Sequence, residues 1–276
     1  MQPPIASTPA DGRVPIASGV ELRVLSWDGS LRPFLLVHGL ASNALLWQGV
    51  AEQLAAAGHR VVAVDLRGHG ESDAPAEGYD TATAAADLSA VSAALDLQDP
   101  VVVGQSWGGN VVIRLGEVYG GVHALSCVDG GWLHLGDRFA TWEECWDVLA
   151  PPLFTGVNAA SVTAMLRTRH PDWPPTSIAA TMANMRVRPD GTVEARLART
   201  HHAAILRSMW EDRPRARYAG IGVPVLLIPT GEQARPLVEE AARILPRATV
   251  KWYAGADHDV HAQYPAEVAA DLRTLA

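Results

Sequence analysis

The sequence predicts an α/β protein with a mostly parallel central sheet that is covered by helices on both faces. Strand-like segments alternate with helix-like segments, and the strand-like segments are near-continuous runs of valine, leucine and isoleucine. Strands of a parallel sheet are buried on both faces and therefore have this composition. With 276 residues, of which 48% are hydrophobic, the chain is long enough for a sizeable core. No apolar run approaches the roughly 18 residues of a membrane span.

The first half of the chain has a regular order of elements. Residues 20–29 and 32–39 are predicted to be two strands that pair through a turn at Asp28-Gly29, and a helix over 43–59 follows. Five further strand and helix patterns continue this alternation as far as residue 131. They are a strand over 60–73 that runs into a glycine-rich loop, a helix over 80–97, a strand over 100–104, a helix over 111–121 and a strand over 122–131.

The alternation stops after the sixth strand and resumes near the C-terminus. Residues 132–221 contain five of the nine tryptophans, several prolines and helix-like spacing, which predicts a helical cap inserted into the core. The pattern then continues with two strands and two helices to the end of the chain. We therefore expect a core formed by residues 1–131 and 222–276, with the cap between its two parts.

Composition and charge exclude several classes of function. The net charge is −8 and the basic residues are scattered, so no nucleic-acid-binding face is expected. The N-terminal residues 1–15 lack a signal-peptide pattern and are expected to be a mobile tail. Cys127 and Cys145 are expected to be buried thiols, and no metal-binding spacing occurs. The expectation is a cytoplasmic monomer or homodimer without a membrane partner, a metal or a cofactor.

One short stretch predicts the chemistry. In the segment GQSWG, Ser106 stands between glycines where the strand Val101–Val103 turns directly into a helix. A strained turn of this kind lifts a serine hydroxyl above the sheet edge, and the helix N-terminus offers donors to a developing oxyanion. Ser106 is therefore predicted to be a nucleophile.

Four motifs together resemble the α/β-hydrolase-fold superfamily, of the serine esterase and lactonase kind with a helical cap. They follow the order and spacing of that family, and the resemblance covers residues 20–131 and 222–276. The motifs are VHGL at 37–40, DLRGHGESD at 65–73, GQSWGG at 104–109 and GADHDVH at 255–261.

The resemblance implies a base and an oxyanion hole. The family's catalytic histidine corresponds to His258, in the loop after the last strand. Its two oxyanion donors correspond to the backbone amides of Leu40 and Trp107. The family often has glycine just before the histidine, and here that position is Asp257.

The acid of the triad departs from the family pattern. Ala234 stands where the family's commonest aspartate would be, which leaves Asp129, at the end of the sixth strand, and Glu232 as candidates. Asp129 is favoured because a carboxylate at the end of an apolar strand is costly without a partner such as the base. Asp257 and Asp259 are further alternatives.

A serine nucleophile predicts acyl transfer through an acyl-enzyme. The expected reaction is hydrolysis of a small or medium apolar carboxylic ester or lactone. Alternatives are a biosynthetic acyltransferase or cyclase, a carbon–carbon hydrolase, or a ligand-binding protein without catalysis. An apolar pocket is expected from the aromatic residues and methionines of the cap. Its predicted lining is His38, Trp132, Trp146 and Met209.

Overall fold

In the part of the chain that the structure describes, the central sheet has eight strands in the order β1-β2-β4-β3-β5-β6-β9-β10. The computed structural model describes residues 8–16 and 19–276. The first two strands are antiparallel to their neighbours, and all other neighbours in the sheet are parallel. The strands are β1 (Ala10–Pro15), β2 (Glu21–Trp27), β3 (Leu31–Val37), β4 (His59–Val64), β5 (Val101–Gln105), β6 (Ala124–Val128), β7 (Met185–Val187), β8 (Val193–Ala195), β9 (Val225–Ile228) and β10 (Ala248–Val250).

Within residues 8–16 and 19–276, ten α-helices connect and cover these strands. They are α1 (Gln48–Ala56), α2 (Thr81–Ala94), α3 (Trp107–Val118), α4 (Trp142–Leu149), α5 (Ala159–Arg169), α6 (Pro175–Met182), α7 (Arg199–Glu211), α8 (Arg235–Ile244), α9 (Val260–Gln263) and α10 (Pro265–Leu272). Within the described ranges, no helix combines the length and apolar character needed to cross a membrane.

The sheet separates two hydrophobic clusters, because side chains alternate between the faces of a strand. In β3, Leu35 and Val37 join a cluster that includes side chains from α2, α3 and α8. Phe34 and Leu36 of the same strand join the opposite cluster, with side chains from α1 and α10. All four β3 side chains are buried. The prediction of a mostly parallel sheet with helices on both faces is therefore confirmed.

Two details of the N-terminal region differ from expectation. β2 and β3 do not pair with each other, because β4 lies between them, antiparallel to β2 and parallel to β3. Residues 10–15 are not a tail but the edge strand β1, which pairs with β2 from Ala10↔Ser26 to Pro15↔Glu21. Only one side chain of this exposed edge strand is buried, so its residues show no clear alternation of apolar and polar side chains that would predict a strand. Residues 1–7 of the expected tail lie outside the described residues.

The segment between β6 and β9 interrupts the alternation of sheet strands and helices. We call residues 132–221 the inserted segment. It contains the four helices α4, α5, α6 and α7, and also the antiparallel pair β7–β8, which was not predicted. Each of these two strands has only three residues, so neither presents a period-two pattern long enough to recognise.

Candidate active site

Ser106 occupies a sharp turn between β5 and α3. Its backbone is in an unusual conformation, with φ 53° and ψ −123°, which non-glycine residues adopt at a cost. Its amide donates a hydrogen bond to the Val128 carbonyl at 2.9 Å, and its carbonyl accepts one from the Gly109 amide at 2.9 Å. Between residues 101 and 110, Ser106 alone is not fully buried. The turn therefore presents this one side chain at the edge of the sheet.

The turn depends on close backbone contacts that only glycine allows. A Cβ atom added to Gly104 would lie 2.1 Å from the Gly108 carbonyl oxygen. One added to Gly130 would lie 2.0 Å from the carbonyl oxygen of Ser106 itself. The backbone after β6 therefore packs directly against the turn that carries Ser106.

Asp129 and His258 form a hydrogen-bonded pair at the same sheet edge. His258 lies in the loop after β10, and its Nδ1 is 2.6 Å from Asp129 Oδ2. The other carboxylate oxygen accepts a hydrogen bond from the Thr230 amide at 3.2 Å. The Asp129 backbone has φ 42°, and its amide donates to the Ile228 carbonyl at 2.8 Å. The neighbouring strand β9 and the segment after it thus fix the position of this carboxylate.

The pair sets the ionisation and the tautomer of His258. Packing around the ring opposes the charged imidazolium, but the hydrogen bond with Asp129 and the negative charges of Asp259 and Asp129 outweigh it and raise the pKa of His258. Because Nδ1 donates to a carboxylate, the neutral ring carries its free lone pair on Nε2. That nitrogen can accept a proton. The described residues include no hydrogen bond between Ser106 and His258.

The other candidate acids make different contacts. Glu232 forms two hydrogen bonds of 2.7 Å with Arg235, and its side chain is 63% exposed. The Asp257 carboxylate contacts the inserted segment, and Asp259 precedes α9. Of the four carboxylates, Asp129 is the one whose oxygen is hydrogen-bonded to the His258 ring.

The two backbone amides predicted to be oxyanion donors, those of Leu40 and Trp107, belong to backbone that runs close to Ser106. A Cβ atom added to Gly39 would lie 2.8 Å from Ser106 Cβ, so the loop after β3 approaches the serine closely. Trp107 is the first residue of α3, whose N-terminal amides point away from the helix. Neither the Leu40 amide nor the Trp107 amide has a hydrogen-bond acceptor within 8–16 and 19–276. Both amides are thus available to a developing negative charge.

Two buried histidines hold the loop that carries Leu40. His38 bridges the Gly39 carbonyl, at 2.7 Å from Nδ1, and the Leu66 amide, at 3.0 Å from Nε2. His69 accepts a hydrogen bond from the Ala41 amide at 3.1 Å. Burial lowers the pKa of His38 to about 4 and that of His69 to about 3, so both rings are neutral near pH 7. Their role is to orient the loop.

A cavity of about 340 Å³ lies between this loop and the inserted segment. We call it the interlayer cavity. Its core side includes Ala41 and Ser42, which follow Leu40 directly, and the opposite side is largely apolar. The residues from the inserted segment include Leu149, Pro151, Pro152, Phe154, Met185, Leu197 and His202.

None of the four predicted pocket residues lines the interlayer cavity. His38 is fully buried beneath the loop. Met209 packs into the main core from α7, and Trp146 packs against Trp142 and Arg199. Trp132 lines a different cavity of about 400 Å³ beside α8. The predicted residues differ from the lining of the interlayer cavity because apolar and aromatic residues face cavities and fill the core alike.

Three residues of this region were not predicted by sequence. Gln105 donates from Nε2 to the His258 carbonyl at 3.3 Å and so connects β5 to the loop of the histidine. Ser42 lines the interlayer cavity with a buried hydroxyl that lacks a hydrogen-bond partner in the described chain. His202 also lines it, and burial lowers its pKa to about 4. The only feature of the sequence that pointed to Gln105 was its position next to Ser106. No feature of the sequence pointed to Ser42 or His202.

Comparison with known proteins agrees with this architecture. The chain belongs to the alpha/beta hydrolase family, since the sequence profile of that family matches residues 34–271. The chain is 39% identical to a non-heme chloroperoxidase of Streptomyces lividans over 106 residues. This aligned stretch is 37% of this chain and 38% of that protein. The chain matches about a third of the length of its sequence relatives.

Two solved structures share the fold over nearly the whole chain. E-2-(acetamidomethylene)succinate hydrolase superposes with a TM-score of 0.80 at 23% identity, over 97% of this chain and 98% of that chain. The enol-lactonase of Burkholderia xenovorans LB400 superposes with a TM-score of 0.75 at 18% identity, over 96% and 99%. Both neighbours are hydrolytic enzymes by name, and at these identities the likeness shows the fold alone.

Proposed function

We propose that the protein is a serine hydrolase that cleaves a small or medium carboxylic ester or lactone through an acyl-enzyme. The observation that carries this proposal is the combination of Ser106 on its strained turn with the Asp129–His258 pair at the same sheet edge. A hydroxyl is weakly nucleophilic until a base removes its proton, and a paired histidine is suited to that task.

In the first half of the reaction, Ser106 Oγ attacks the substrate carbonyl carbon while His258 Nε2 takes its proton. The Leu40 and Trp107 amides stabilise the tetrahedral oxyanion, and Asp129 stabilises the imidazolium. The intermediate collapses, and the leaving alcohol takes the proton from His258. In the second half, His258 removes a proton from water, which attacks the acyl-enzyme. The second tetrahedral intermediate then collapses, His258 returns the proton to Ser106 Oγ as the ester bond breaks, and the carboxylic acid leaves.

The interlayer cavity is the proposed site for the acyl group. It begins at Ala41, one residue beyond the proposed oxyanion donor Leu40, and the inserted segment supplies its apolar side. Transfer of an apolar acyl chain from water to such a site is favourable by about 0.8 kcal/mol per methylene. In this account the inserted segment acts as a cap that excludes water from the acyl group.

The direct test is hydrolysis of p-nitrophenyl esters from acetyl to octanoyl by the wild-type protein and the Ser106→Ala variant. We expect kcat to fall on the order of 10⁶-fold in the variant. The matched control is Ser30→Ala, a serine in the exposed turn before β3, which should leave activity unchanged. Equal rates in wild type and Ser106→Ala would rule out Ser106 as the nucleophile.

Perhydrolysis is a second candidate reaction, favoured by the relative named non-heme chloroperoxidase. Hydrogen peroxide would replace water in the second half of the reaction, so that the acyl-enzyme yields a peracid and free serine. Bromide oxidation in the presence of acetate and hydrogen peroxide measures the peracid. A signal that is absent in Ser106→Ala supports this activity, and a signal equal in both proteins contradicts it.

A further inference from the structure

The loop that carries His258 contacts the inserted segment through the carboxylate of Asp257, the residue immediately before it. Asp257 Oδ2 is 2.8 Å from His170 Nδ1 and 2.7 Å from Trp173 Nε1. Both donors lie in the connection between α5 and α6. Hydrogen bonds to an ionised carboxylate are among the stronger ones in proteins, so this is a specific contact between the two parts of the chain.

The two donors are themselves held in place. Trp173 is buried in an apolar cluster that includes Leu166 and Ile178, and its ring lies 4.1 Å from that of His170, centroid to centroid. A second contact lies close by, where the Ser177 hydroxyl donates to the Ala262 carbonyl at 3.0 Å. The inserted segment therefore offers the Asp257 carboxylate a fixed pair of donors.

The loop on the other side of this contact has little structure of its own. Residues 251–259 form neither helix nor strand. Besides Asp257, two side chains hold its backbone near the histidine: Gln263 Oε1 accepts from the Asp257 amide at 2.8 Å, and Gln105 donates to the His258 carbonyl at 3.3 Å. The orientation of the His258 ring thus depends on a small number of hydrogen bonds.

We propose that Asp257 is a positioning residue for His258, through which the inserted segment fixes the loop of the base. This inference rests on the proposed function, since it presumes that His258 acts on Ser106. Asp257 does not touch the reacting atoms in this account. Its removal lets the backbone at His258 move, and a displacement of about 1 Å in a catalytic group costs on the order of 100-fold in rate.

The role is geometric rather than electrostatic. The charges that raise the pKa of His258 are those of Asp259 and Asp129. Asp257→Asn removes the charge but keeps an oxygen that can accept both hydrogen bonds, whereas Asp257→Ala removes the acceptor. On the other side of the contact, Trp173→Phe removes one donor and keeps the aromatic ring.

The test measures kcat, KM and the pH profile of ester hydrolysis for these three variants, for Asp257→Ala combined with Trp173→Phe, and for Asp172→Asn as the exposed control. We expect Asp257→Ala to lower kcat about 10-fold or more with little change in KM, toward the 100-fold limit of a displaced group. Asp257→Asn should retain most of the activity with the pH midpoint unchanged. As a single variant, Trp173→Phe should lower kcat. Combined with Asp257→Ala, it should lower kcat no further than Asp257→Ala does.

The proposal would be overturned by a raised KM with unchanged kcat in Asp257→Ala, by an equal loss in Asp257→Asn and Asp257→Ala, or by additive effects in the double variant. If Asp257→Ala does not fold, Asp257→Asn and Trp173→Phe still decide, since an unchanged kcat in folded Trp173→Phe contradicts the contact's role. The Ser106→Ala variant separates the two proposals: loss there with full activity in Asp257→Ala overturns only the role of Asp257.

Discussion

At the scale of single residues, the contact between His258 and Asp129 controls when the proposed base can act. A general base must be unprotonated, and the hydrogen bond with Asp129 and the nearby negative charges raise the pKa of His258 above its ordinary 6.5. We therefore expect kcat/KM to be low in acid and to rise with pH through a midpoint above 6.5. A profile of kcat/KM from pH 5 to pH 9 in buffers of constant ionic strength measures it. A midpoint below 6.5 would contradict the stabilised imidazolium.

The identity of the acid is tested by a matched pair of variants. Asp129→Asn should lower kcat by about 10⁴-fold, because the amide cannot hold the same tautomer or stabilise the imidazolium. Glu232→Gln should keep near-normal kcat, since Glu232 is hydrogen-bonded to Arg235 at the surface. Steady-state kinetics of both variants decide the question. The reverse pattern would make Glu232 the acid.

The sequence located these residues without settling how they pair. Ser106 and Asp129 follow buried strands, and His258 lies within the motif GADHDVH after the last strand, so each could be placed at one sheet edge from its position. The choice between Asp129 and Glu232 depends on a contact between residues 129 apart in the chain. No local pattern encodes such a contact, and the sequence left both carboxylates open.

At the scale of elements, the site depends on how tightly the backbone after β6 packs against the turn after β5. Gly130→Ala would place a methyl group about 2 Å from the Ser106 carbonyl oxygen, so the turn or the loop must move. We expect a loss of about 1–3 kcal/mol in the free energy of unfolding, typical of overpacking, together with reduced activity. Urea denaturation and ester hydrolysis measure the two effects.

Gly220→Ala is the control for this variant. An added Cβ at Gly220 meets no atom within 4 Å, and its backbone is outside the left-handed region. This variant should be close to wild type in both measurements. If Gly130→Ala matched it, the close packing of these two backbones would not matter for the site.

Prediction from sequence worked for elements with strong burial patterns and failed for weak ones. The parallel strands β3, β4, β5 and β9 have uninterrupted apolar runs, such as Val101–Val103, and were located correctly. β1 is an exposed edge strand, and β7 and β8 have three residues each, so none of them has such a run. The pairing of β2 with β4 was also missed, because proximity in sequence favours a hairpin.

At the scale of the whole molecule, the contact between the inserted segment and the core forms the proposed acyl site. Phe154 lines the interlayer cavity, and Phe154→Ala should enlarge it. We expect the optimum to shift to longer acyl chains, with kcat/KM rising about fourfold for each methylene that the larger cavity admits, equivalent to about 0.8 kcal/mol. The ratio of rates on octanoyl and butanoyl p-nitrophenyl esters measures this shift.

Leu153→Ala is the matched control, because Leu153 is adjacent in sequence and its side chain is 73% exposed. The ratio should not change in this variant. Equal shifts in both variants, or none in either, would place the acyl group elsewhere. The lining of this cavity was beyond prediction because it combines two loops of the core with five elements and three connections of the inserted segment.

In the proposed reaction, Ser106 carries the acyl group during turnover. The most direct measurement is rapid mixing with p-nitrophenyl acetate, followed by acid quenching and peptide mass spectrometry. We predict a burst of p-nitrophenol of about one equivalent per chain where deacylation is slow, and an acetyl group on the peptide that contains Ser106. Acetylation of a residue other than Ser106 would contradict this proposal. So would turnover that leaves no acetyl adduct and continues in the Ser106→Ala variant.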